Sequence, residues 1–456
     1  MLAALERPAR HGHKLAGHWI GRMKLLIFAH TPPPHHGQSY MVQLMLTGFG
    51  GDHRCRKKNF VPRNPAGDVH GLECYHVNNR LSKRLEDIGE FHGVKLFLLL
   101  AHCVEAVWCR YRYGVTNFYY IPAPGKKSAL YRDWMVMFLC RPFFKTMTLH
   151  WHAAGLAKWL ETVVQIRTRA LTYNLMKRVD LSIVLTNYNR ADAEKLFPQR
   201  VRVVGNGIPD PCPDFEQAVQ PRHRARLAAR QKLLAGKKLE AADHANTGGD
   251  PHRFKVLFLA HCTREKGLFD TLDGVALANA QLACEHSPVR LQLIVAGEFL
   301  NAEERAEFEE RIRRADLLSI ERRPCVNYIG FASGGKKHTA FADSDCFCFP
   351  TYYYAESFGL VVLEAMAFGL PIIASQWRSI PELMPSDHPG LISPREPAKI
   401  ATALMELLTK ASFETLREHF LREFTVEKYL SALAQAIHSV EQPVEKISLA
   451  RPRRAS

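Results

Sequence analysis

Two glutamates separated by eight positions stand at the start of an apolar helical stretch in residues 351–375, TYYYAESFGLVVLEAMAFGLPIIAS. If the helix begins near Phe358, Glu356 precedes its first turn and Glu364 lies ~12 Å further along the axis, so the two carboxylates cannot hold the same atom. A carboxylate accepts two hydrogen bonds and donates none, which suits vicinal hydroxyls of a sugar or a ribose. The pair predicts an extended, hydroxyl-bearing ligand. The alternative is a capping carboxylate beside an unrelated helix-face charge.

Two cations lie between a predicted strand and a predicted helix in residues 257–275, LFLAHCTREKGLFDTLDGV. Arg264 and Lys266 come just before Gly267, where the helix is predicted to open. A guanidinium, an ammonium and the free N–H groups of a helix N-terminus all attract negative charge. The loop therefore predicts a diphosphate site, with a pair of solvated loop charges as the alternative.

The elements that must position these residues alternate along the chain as short apolar runs and stretches of helical period, which is typical of parallel sheets with crossover helices. Two such series, in a chain of 456 residues, predict two doubly wound α/β domains. The predicted strands are LLIFA at Leu25, CYHVN at Cys74, FYYIP at Phe118, MTLHW at Met147, SIVLT at Ser182, VRVVG at Val201, KVLFLA at Lys255, LQLIVAG at Leu291, CVNYIG at Cys325, CFCFP at Cys346 and PIIAS at Pro371.

Composition is that of a globular protein with an unusual charge. The chain is 47% hydrophobic and 23% charged, which excludes wholesale disorder, and its net charge is +16. Such a field attracts phosphate on nucleotides, nucleic acid or an anionic membrane. Eleven cysteines without a C-x-x-C pair indicate neither a disulfide framework nor a zinc ribbon, and a reducing cytosol fits best.

Three segments could be a membrane helix, a targeting signal and a binding arm, respectively. Residues 96–108, LFLLLAHCVEAVW, are shorter than the ~18 apolar residues that a membrane helix needs, so they are predicted to form a buried core helix. Residues 1–22 lack the apolar centre of a secretory signal, and Met23 is an alternative start. Residues 222–238 carry seven cations and no anion, and predict a solvated helix or surface insert rather than a binding arm.

The segment ESFGLVVLEAMAFGLPIIAS resembles the E-x7-E signature of the retaining glycosyltransferases of family 4, the group 1 glycosyltransferases with the GT-B fold. The resemblance runs from Met23 to about residue 440 and is strongest over residues 256–383. It implies two Rossmann-like domains facing each other across a cleft. The further matching segments are TREKG, VAGEF, YIGF, DCFCFPT, IPEL, VVGNGIPDP and, at the acceptor loop, PPPHHGQS.

The resemblance also implies a division of the chain. Residues 1–22 are expected to be a basic extension, and residues 23–214 an acceptor-binding domain. A basic linker or insert then covers residues 215–253, and residues 254–425 form the nucleotide-sugar-binding domain. The final residues, 426–456, are expected to return to the first domain as a helix with a basic tail.

The site residues follow by resemblance. Arg264 and Lys266 would neutralise the donor diphosphate, Glu364 would hold the ribose, and Glu356 would contact the transferred sugar at its reacting face. His152, in LHWHAAG, resembles the histidine that positions the donor sugar. The other expected donor-binding residues are Gly297, Phe331, Ser357, Phe358, Gly359 and Leu360, and the expected acceptor-binding residues are Gly37 and Gln38.

Two metal-like patterns compete with this reading. His150 and His152 alternate onto one face of a strand and could be metal ligands, but no third ligand is suggested nearby. The sequence Asp343-Ser344-Asp345 spells D-x-D, a pattern that holds divalent ions in other sugar transferases. It precedes a buried strand and is predicted to be a helix-to-strand junction. No metal and no cofactor are expected.

The chain departs from the family at one loop that should face the donor. After PIIAS the family usually has paired glycines, whereas this chain has Gln376, Trp377, Arg378 and Ser379. The acceptor loop carries histidines where many members have a second glycine. The sugar and the acceptor therefore stay open.

The resemblance predicts a retaining glycosyltransferase that moves a sugar from a nucleotide-sugar donor to a glycan or lipid-linked acceptor, in cell-surface polysaccharide or glycoconjugate biosynthesis. The alternatives are a sugar-nucleotide epimerase of the same architecture and a non-catalytic basic scaffold that binds polyanions. We expect a cytoplasmic protein without a nucleic-acid partner. Its excess cations suggest peripheral docking on the inner face of an anionic membrane.

Overall fold

A computed structural model describes residues 22–33, 37–54, 70–81, 93–122, 125–247, 249–313, 325–410 and 413–442. These residues form two six-stranded sheets. Most of the predicted N-terminal extension, the histidines of the acceptor loop and the basic tail lie outside the described residues.

The first sheet has the strand order β2-β1-β3-β4-β5-β6, and every neighbouring pair is parallel. Except for the edge strand that ends the order, its strands are buried on both faces, as expected where helices cover both sides. The strands are β1 (Met23–Phe28), β2 (Leu72–Val77), β3 (Asn117–Tyr120), β4 (Thr146–Trp151), β5 (Leu181–Val184) and β6 (Val201–Val203). The helices between them are α1 (Gly37–Gly48), α2 (Gly93–Tyr113), α3 (Lys127–Cys140), α4 (Leu156–Thr162), α5 (Ile166–Met176) and α6 (Arg190–Glu194), and α7 (Gln220–Leu234) and α8 (Ala241–Thr247) lead to the second sheet.

The second sheet is also parallel throughout, in the order β12-β11-β10-β7-β8-β9. All eleven predicted strands are present, and β12 was missed because two residues are too short to show a pattern. The strands are β7 (Arg253–Leu259), β8 (Arg290–Ala296), β9 (Val326–Gly330), β10 (Cys346–Phe349), β11 (Ile372–Ser375) and β12 (Leu391–Ile392). The helices are α9 (Leu268–Cys284), α10 (Ala302–Arg311), α11 (Gly334–Ala342), α12 (Leu360–Ala367), α13 (Ile380–Leu383), α14 (Pro397–Leu407), α15 (Glu414–Glu423) and α16 (Val426–His438).

The strand order of the second sheet reverses between β7 and β10. The chain continues from β7 to β8 on one side, whereas β10 pairs with β7 on the other side. In open α/β sheets, ligands bind in the crevice outside the carboxyl ends of the strands at such a reversal. The fold itself thus selects the loops after β7 and β10 as the candidate site.

The last described α-helix, α16, returns to the first sheet. A Cβ at Gly48 of α1 would lie 2.2 Å from Leu430 of this helix, so the glycine permits close packing. The crossing is held by backbone hydrogen bonds from Ile208 to Phe424 at 2.9 Å and from Val426 to Ile208 at 3.0 Å. The segment that leaves the first domain and the segment that returns to it are therefore hydrogen-bonded to each other.

The basic run of residues 222–238 was predicted to be a solvated helix or surface insert, and this holds for its exposed cations but not for two arginines of α7. Arg226 and Arg230 of α7 are buried, and each donates to Asp345 Oδ1 at 3.0 Å. The solvated-helix prediction was wrong here because the partner acid lies 115 positions after Arg230. Burial by itself would raise the pKa of Asp345, but the charges of Arg230 and Arg226 outweigh it and lower the pKa.

The structure places Asp343-Ser344-Asp345 between α11 and β10, as the sequence predicted. Asp343 is a third exposed and lies 3.4 Å from Arg222, whereas Asp345 is buried. Both acids therefore face arginines of α7. Among the described residues, no group of three or more His, Cys, Asp or Glu side chains could hold a metal ion.

Helix α2 is buried on one face only, so the prediction of a buried core helix was half wrong. Leu99, Cys103, Ala106 and Cys109 face the core. No helix in the described part of the chain is long and apolar enough to cross a membrane. The opposite face of α2 is apolar and exposed at Val94, Phe97, Leu98, Leu100, Val104, Trp108 and Tyr111.

We predict that Asp345→Asn lowers the free energy of unfolding by about 3–5 kcal/mol, because it leaves two buried arginines without a counter-charge. Asp343→Asn is the matched control and should cost less than about 1 kcal/mol, because its ion pair is exposed. Urea unfolding measures both. The Asp345 contribution is present above the ordinary aspartate pKa and is lost as the pH falls through its lowered pKa. Equal costs for the two variants would contradict this account.

Candidate active site at the carboxyl edge of the second sheet

The loops after β7 and β10 are joined by a salt bridge between Lys266 and Glu356. Lys266 Nζ lies 2.7 Å from Glu356 Oε2, and the two side chains keep 17% and 8% of their surface exposed. The ammonium also lies 4.6 Å from the centre of the Tyr353 ring. The structure therefore brings two predicted site residues together where the strand order reverses.

Gly267 lets the first loop pass directly against the second. Its φ is +86°, and a Cβ there would lie 2.5 Å from the carbonyl oxygen of Pro350. The backbone N–H of Tyr352 donates to the carbonyl oxygen of Glu265 at 2.8 Å. A side chain at Gly267 would push the loops apart, so this close approach sets the geometry of the salt bridge.

Arg264 points away from the salt bridge and toward α10. Its guanidinium donates to Glu307, and its backbone N–H donates to Glu304 Oε1 at 2.7 Å. The hydrogen bond from Arg264 lowers the pKa of the Glu307 carboxyl. The Arg264 side chain is 47% exposed, so it can turn toward the crevice by giving up its contact with Glu307.

Glu364 lies in the second turn of α12, where its carboxylate accepts a hydrogen bond from Lys337 of α11. Both side chains are partly buried. The sequence analysis missed Lys337, because the lysine lies on a different helix and its position beside Glu364 depends on how the helices pack. A ligand that reaches Glu364 therefore also meets Lys337.

Helix α1 of the first domain faces the start of α12. A Cβ at Gly37 would lie 3.3 Å from Leu360 Cδ1, so the glycine allows the two helix starts to approach. Burial raises the pKa of the Tyr40 hydroxyl, and the negative charge of Glu364 raises it further. Gln38 is half-buried in the same turn. The predicted acceptor residues thus border the predicted donor helix.

His152 follows β4 and contacts the loop that carries Glu356. Ser357 Oγ donates to the His152 carbonyl oxygen at 2.6 Å. Asn189 Nδ2 donates to the Ser357 carbonyl oxygen at 3.3 Å. Because Ser357 directly follows Glu356, these bonds bring the predicted catalytic histidine beside the predicted catalytic glutamate across the two domains.

A second histidine lies behind His152. The ring centres of His150 and His152 are 4.2 Å apart, and His150 Nδ1 is hydrogen-bonded to the Tyr119 hydroxyl. Burial lowers the pKa of His150 well below the usual histidine value, and the charge of a protonated His152 lowers it further. His150 is therefore a neutral, buried group that packs against the ring of His152.

The residues between Glu356 and Glu364 differ in whether their side chains or their backbone groups face the crevice. Phe358 is 3% exposed, and its ring packs against Gly205 of the first domain. Its side chain therefore belongs to the interdomain core. Gly359 and Leu360 open α12, and N–H groups of a first helical turn lack intrahelical acceptors. The backbone N–H groups of this first turn could therefore donate to a ligand at the helix start.

Gly297 and Phe331 follow β8 and β9, on the far side of β7 from the reversal. A Cβ at Gly297 would lie 1.8 Å from the Ala260 carbonyl oxygen, so the loop that carries Lys266 packs directly on Gly297. Phe331 is 58% exposed and follows the edge strand. The structure therefore brings Gly297 to the site and leaves Phe331 at its margin.

A further contact between the domains was not predicted. Glu382 of α13 accepts hydrogen bonds from the backbone N–H groups of Asn187 and Tyr188 at 2.8 Å and 2.6 Å. The preceding loop places the guanidinium of Arg378 5.8 Å from the Tyr188 ring centre. No local pattern signals these contacts, because the partners lie on different domains.

The crevice combines cations after β7 with carboxylates before and inside α12. A cation can neutralise phosphate, and a carboxylate can accept hydrogen bonds from two hydroxyls. The arrangement therefore suits an extended ligand that carries both kinds of group. Such a ligand has to replace Glu356 at Lys266 and Lys337 at Glu364, because each of these charges is already paired.

Residues 240–423 match the family model described as glycosyl transferases group 1. This match covers the second sheet and the whole crevice. The resemblance to group 1 glycosyltransferases is confirmed over these residues.

Curated relatives resemble parts of the chain. The sulfoquinovosyl transferase of Arabidopsis thaliana is 35% identical over 106 residues, which are 22% of this chain and 20% of that protein. The amylovoran biosynthesis glycosyltransferase AmsK of Erwinia amylovora is 23% identical over 208 residues, 42% of this chain and 48% of the relative. The chain thus matches less than half the length of either relative.

Solved structures share the fold across nearly the whole chain. HepE of Anabaena, in complex with UDP and glucose, has a TM-score of 0.57 at 16% identity and covers 92% of this chain and 100% of its own. Sucrose-phosphate synthase of Thermosynechococcus elongatus has a TM-score of 0.60 at 17% identity and covers 92% and 99%. The architecture is the two-domain GT-B fold.

We predict opposite stability effects for alanine at two glycines of the second domain. Gly359 has a φ of +78°, and a Cβ there would lie 3.0 Å from Ile380, so Gly359→Ala should lower the free energy of unfolding by about 1–3 kcal/mol. Gly335 of α11 has open space around its Cβ position, so Gly335→Ala should raise it by about 0.5–1 kcal/mol. Urea unfolding compares the two, and a shared sign would contradict the assigned role of Gly359.

Proposed function

We propose that the protein is a retaining glycosyltransferase that moves a sugar from a nucleotide-sugar donor to a glycan or lipid-linked acceptor. The observation that carries this proposal is the meeting of Lys266 and Glu356 at the strand-order reversal, with Glu364 two helical turns further on. The family match over residues 240–423 supports the reaction class. The relative named for the biosynthesis of amylovoran supports a role in polysaccharide biosynthesis.

In the proposed reaction the bond between the anomeric carbon and the diphosphate oxygen breaks, and the acceptor hydroxyl oxygen bonds to that carbon on the same face of the sugar while its proton passes to the departing diphosphate. Lys266, and Arg264 once it turns from Glu307, would stabilise charge on the departing diphosphate. Glu356 would then be free to contact the sugar, and Glu364 the ribose. Because the cations meet the diphosphate charge, the proposed reaction uses no divalent ion. A chelator should therefore leave turnover unchanged.

The acceptor would enter from the first domain. Gly37 lies against α12, and the His152 carbonyl oxygen accepts from Ser357. Both contacts join the domains beside Glu356 and Glu364. Opening and closing at these contacts would admit the acceptor and then exclude water from the reacting sugar.

The exposed face of α2 supports peripheral contact with an anionic membrane. Its apolar residues recur at helical spacing, with Phe97 at 71%, Val104 at 68% and Trp108 at 42% exposure. Helix α3 packs against both α2 and α5. Over residues 93–113 and 125–178 the chain carries thirteen Lys and Arg and three Asp and Glu. We define the outer surface of α2, α3 and α5 as the α2 face.

Apolar side chains flanked by cations bind the interface of an anionic bilayer, because insertion and charge attraction add. The three acids near the α2 face are already paired, Glu105 with Arg54, Asp133 with Arg132 and Glu161 with Lys195. Over these ranges the cations outnumber the acids, so the sequence carries a positive excess near the α2 face. A membrane here would present a lipid-linked acceptor to the first domain.

We predict that one nucleotide among UDP, GDP, ADP, CMP and dTDP raises the melting temperature by several degrees. At 100 times its dissociation constant a ligand stabilises the native state by ~2.7 kcal/mol. UDP is the first choice, because it is bound in the fold neighbour HepE. Lys266→Ala and Glu364→Ala should remove the shift, and Lys266→Ala should lower turnover about 100- to 1000-fold.

Lys399→Ala is the matched control, because Lys399 is an exposed lysine of the same domain paired with Glu396. Its nucleotide shift should equal that of the wild type. Free nucleotide should form from the nucleotide-sugar only when an acceptor is present, whereas an epimerase would form none. Absence of any nucleotide shift, together with steeply salt-dependent polyanion binding, would favour the scaffold alternative instead.

We predict that the protein co-sediments at low salt with vesicles of equal parts phosphatidylglycerol and phosphatidylcholine, and that added salt releases it. The triple variant Phe97→Ser, Val104→Ser and Trp108→Ser should bind about 10-fold or more weakly, because each lost side chain removes apolar insertion. Leu277→Ser on α9 is the control, since Leu277 is 48% exposed on the other domain.

Two results would contradict the membrane contact. One is equal vesicle binding by the triple variant and the wild type. The other is a dimer in light scattering that forms without vesicles and that the triple variant abolishes, because the α2 face would then cover a second copy of the chain.

A further inference from the structure

Arg378 spans from the second domain to the active-site edge of the first. It lies between β11 and α13, and its guanidinium carbon is 5.8 Å from the ring centre of Tyr188 and 5.6 Å from that of Trp377. A terminal nitrogen lies 3.7 Å from the position of a Cβ on Gly155. Gly155 is three residues after His152, so the guanidinium lies against the loop that follows the predicted catalytic histidine.

Arg378 differs from the other cations of the site in having no counter-charge. Lys266, Arg264 and Lys337 each have a carboxylate within salt-bridge distance. Among the described residues no carboxylate reaches Arg378, and its Nε is buried without a hydrogen-bond acceptor. A buried donor without a hydrogen-bond acceptor is unfavourable. An acceptor supplied by a ligand would therefore be favourable at Arg378.

The loop holds this guanidinium in place. Arg378 has a φ of +50°. Residues other than glycine rarely adopt this left-handed region, and such residues occur at functional sites. The adjacent Trp377 donates its indole N–H to the carbonyl oxygen of Tyr353 at 2.9 Å. The Tyr353 ring in turn supports the ammonium of Lys266. The guanidinium is therefore fixed to the same loop that positions the diphosphate-binding lysine.

We propose that Arg378 binds an anionic group, a carboxylate, phosphate or sulfonate, carried by the transferred sugar or by the acceptor. This inference rests on the proposed function and adds a charge preference to it. A guanidinium presents paired N–H donors that match the two oxygens of such groups, and aromatic stacking against Tyr188 and Trp377 leaves its edge free to donate. A sugar with hydroxyls alone would leave this positive charge unmatched.

The first arm of the test measures binding of UDP, UDP-glucose and UDP-glucuronic acid by calorimetry. If the sugar carries the anion, the wild type should bind UDP-glucuronic acid about 10- to 100-fold more tightly than UDP-glucose. Arg378→Ala should abolish that difference and leave the affinity for UDP unchanged. Arg378→Lys keeps the charge without the paired donors and should retain only part of the preference.

The second arm addresses the acceptor. If the acceptor carries the anion, the two UDP-sugars should bind alike, and inorganic phosphate should bind the UDP-loaded wild type. Arg378→Ala should weaken that phosphate binding about 10-fold or more. Arg190→Ala is the matched control in both arms, because Arg190 is an arginine near the cleft that already pairs with Glu194.

The inference is overturned if Arg378→Ala, with an unchanged melting temperature, matches the wild type in both arms. If no nucleotide binds the wild type, the proposed function fails instead. Phosphate binding to the free protein, compared between the wild type and Arg378→Ala, then decides the anion site by itself.

Discussion

The salt bridge between Lys266 and Glu356 is the interaction on which the rest of the site depends. It joins loops from two neighbouring parallel strands at the one place where the second sheet reverses its strand order. A largely buried charge without a partner costs several kcal/mol, so each loop needs the other to be in place. Gly267, packed against Pro350, permits that approach, and Ser357 extends it to His152 of the first domain.

In this ligand-free arrangement the protein supplies partners for the charges that a donor would use. Glu356 neutralises Lys266, Glu307 holds Arg264, and Lys337 occupies Glu364. Binding of the proposed donor would therefore be an exchange of ion pairs, in which a diphosphate replaces carboxylates and hydroxyls replace an ammonium. A ligand that carries only a phosphate or only hydroxyls would be disfavoured. It would break an ion pair of the protein without giving every freed side chain a new partner.

The strands and the central motif could be predicted from the sequence, because both are local. Short apolar runs marked eleven of the twelve strands, and the residues around Glu356 and Glu364 marked the start of α12. Features that depend on a distant partner could not be predicted. The pairing of the α7 arginines with Asp345 and of Lys337 with Glu364 follows from packing between helices, which no local period records.

The most direct test of the account is a crystal structure of the protein with a bound nucleoside diphosphate. The account predicts the diphosphate at the carboxyl edge between β7 and β10, with Lys266 Nζ moved from Glu356 to within ~3 Å of a phosphate oxygen. It also predicts the ribose hydroxyls at Glu364. A nucleotide bound elsewhere, with the salt bridge between Lys266 and Glu356 intact, would contradict it.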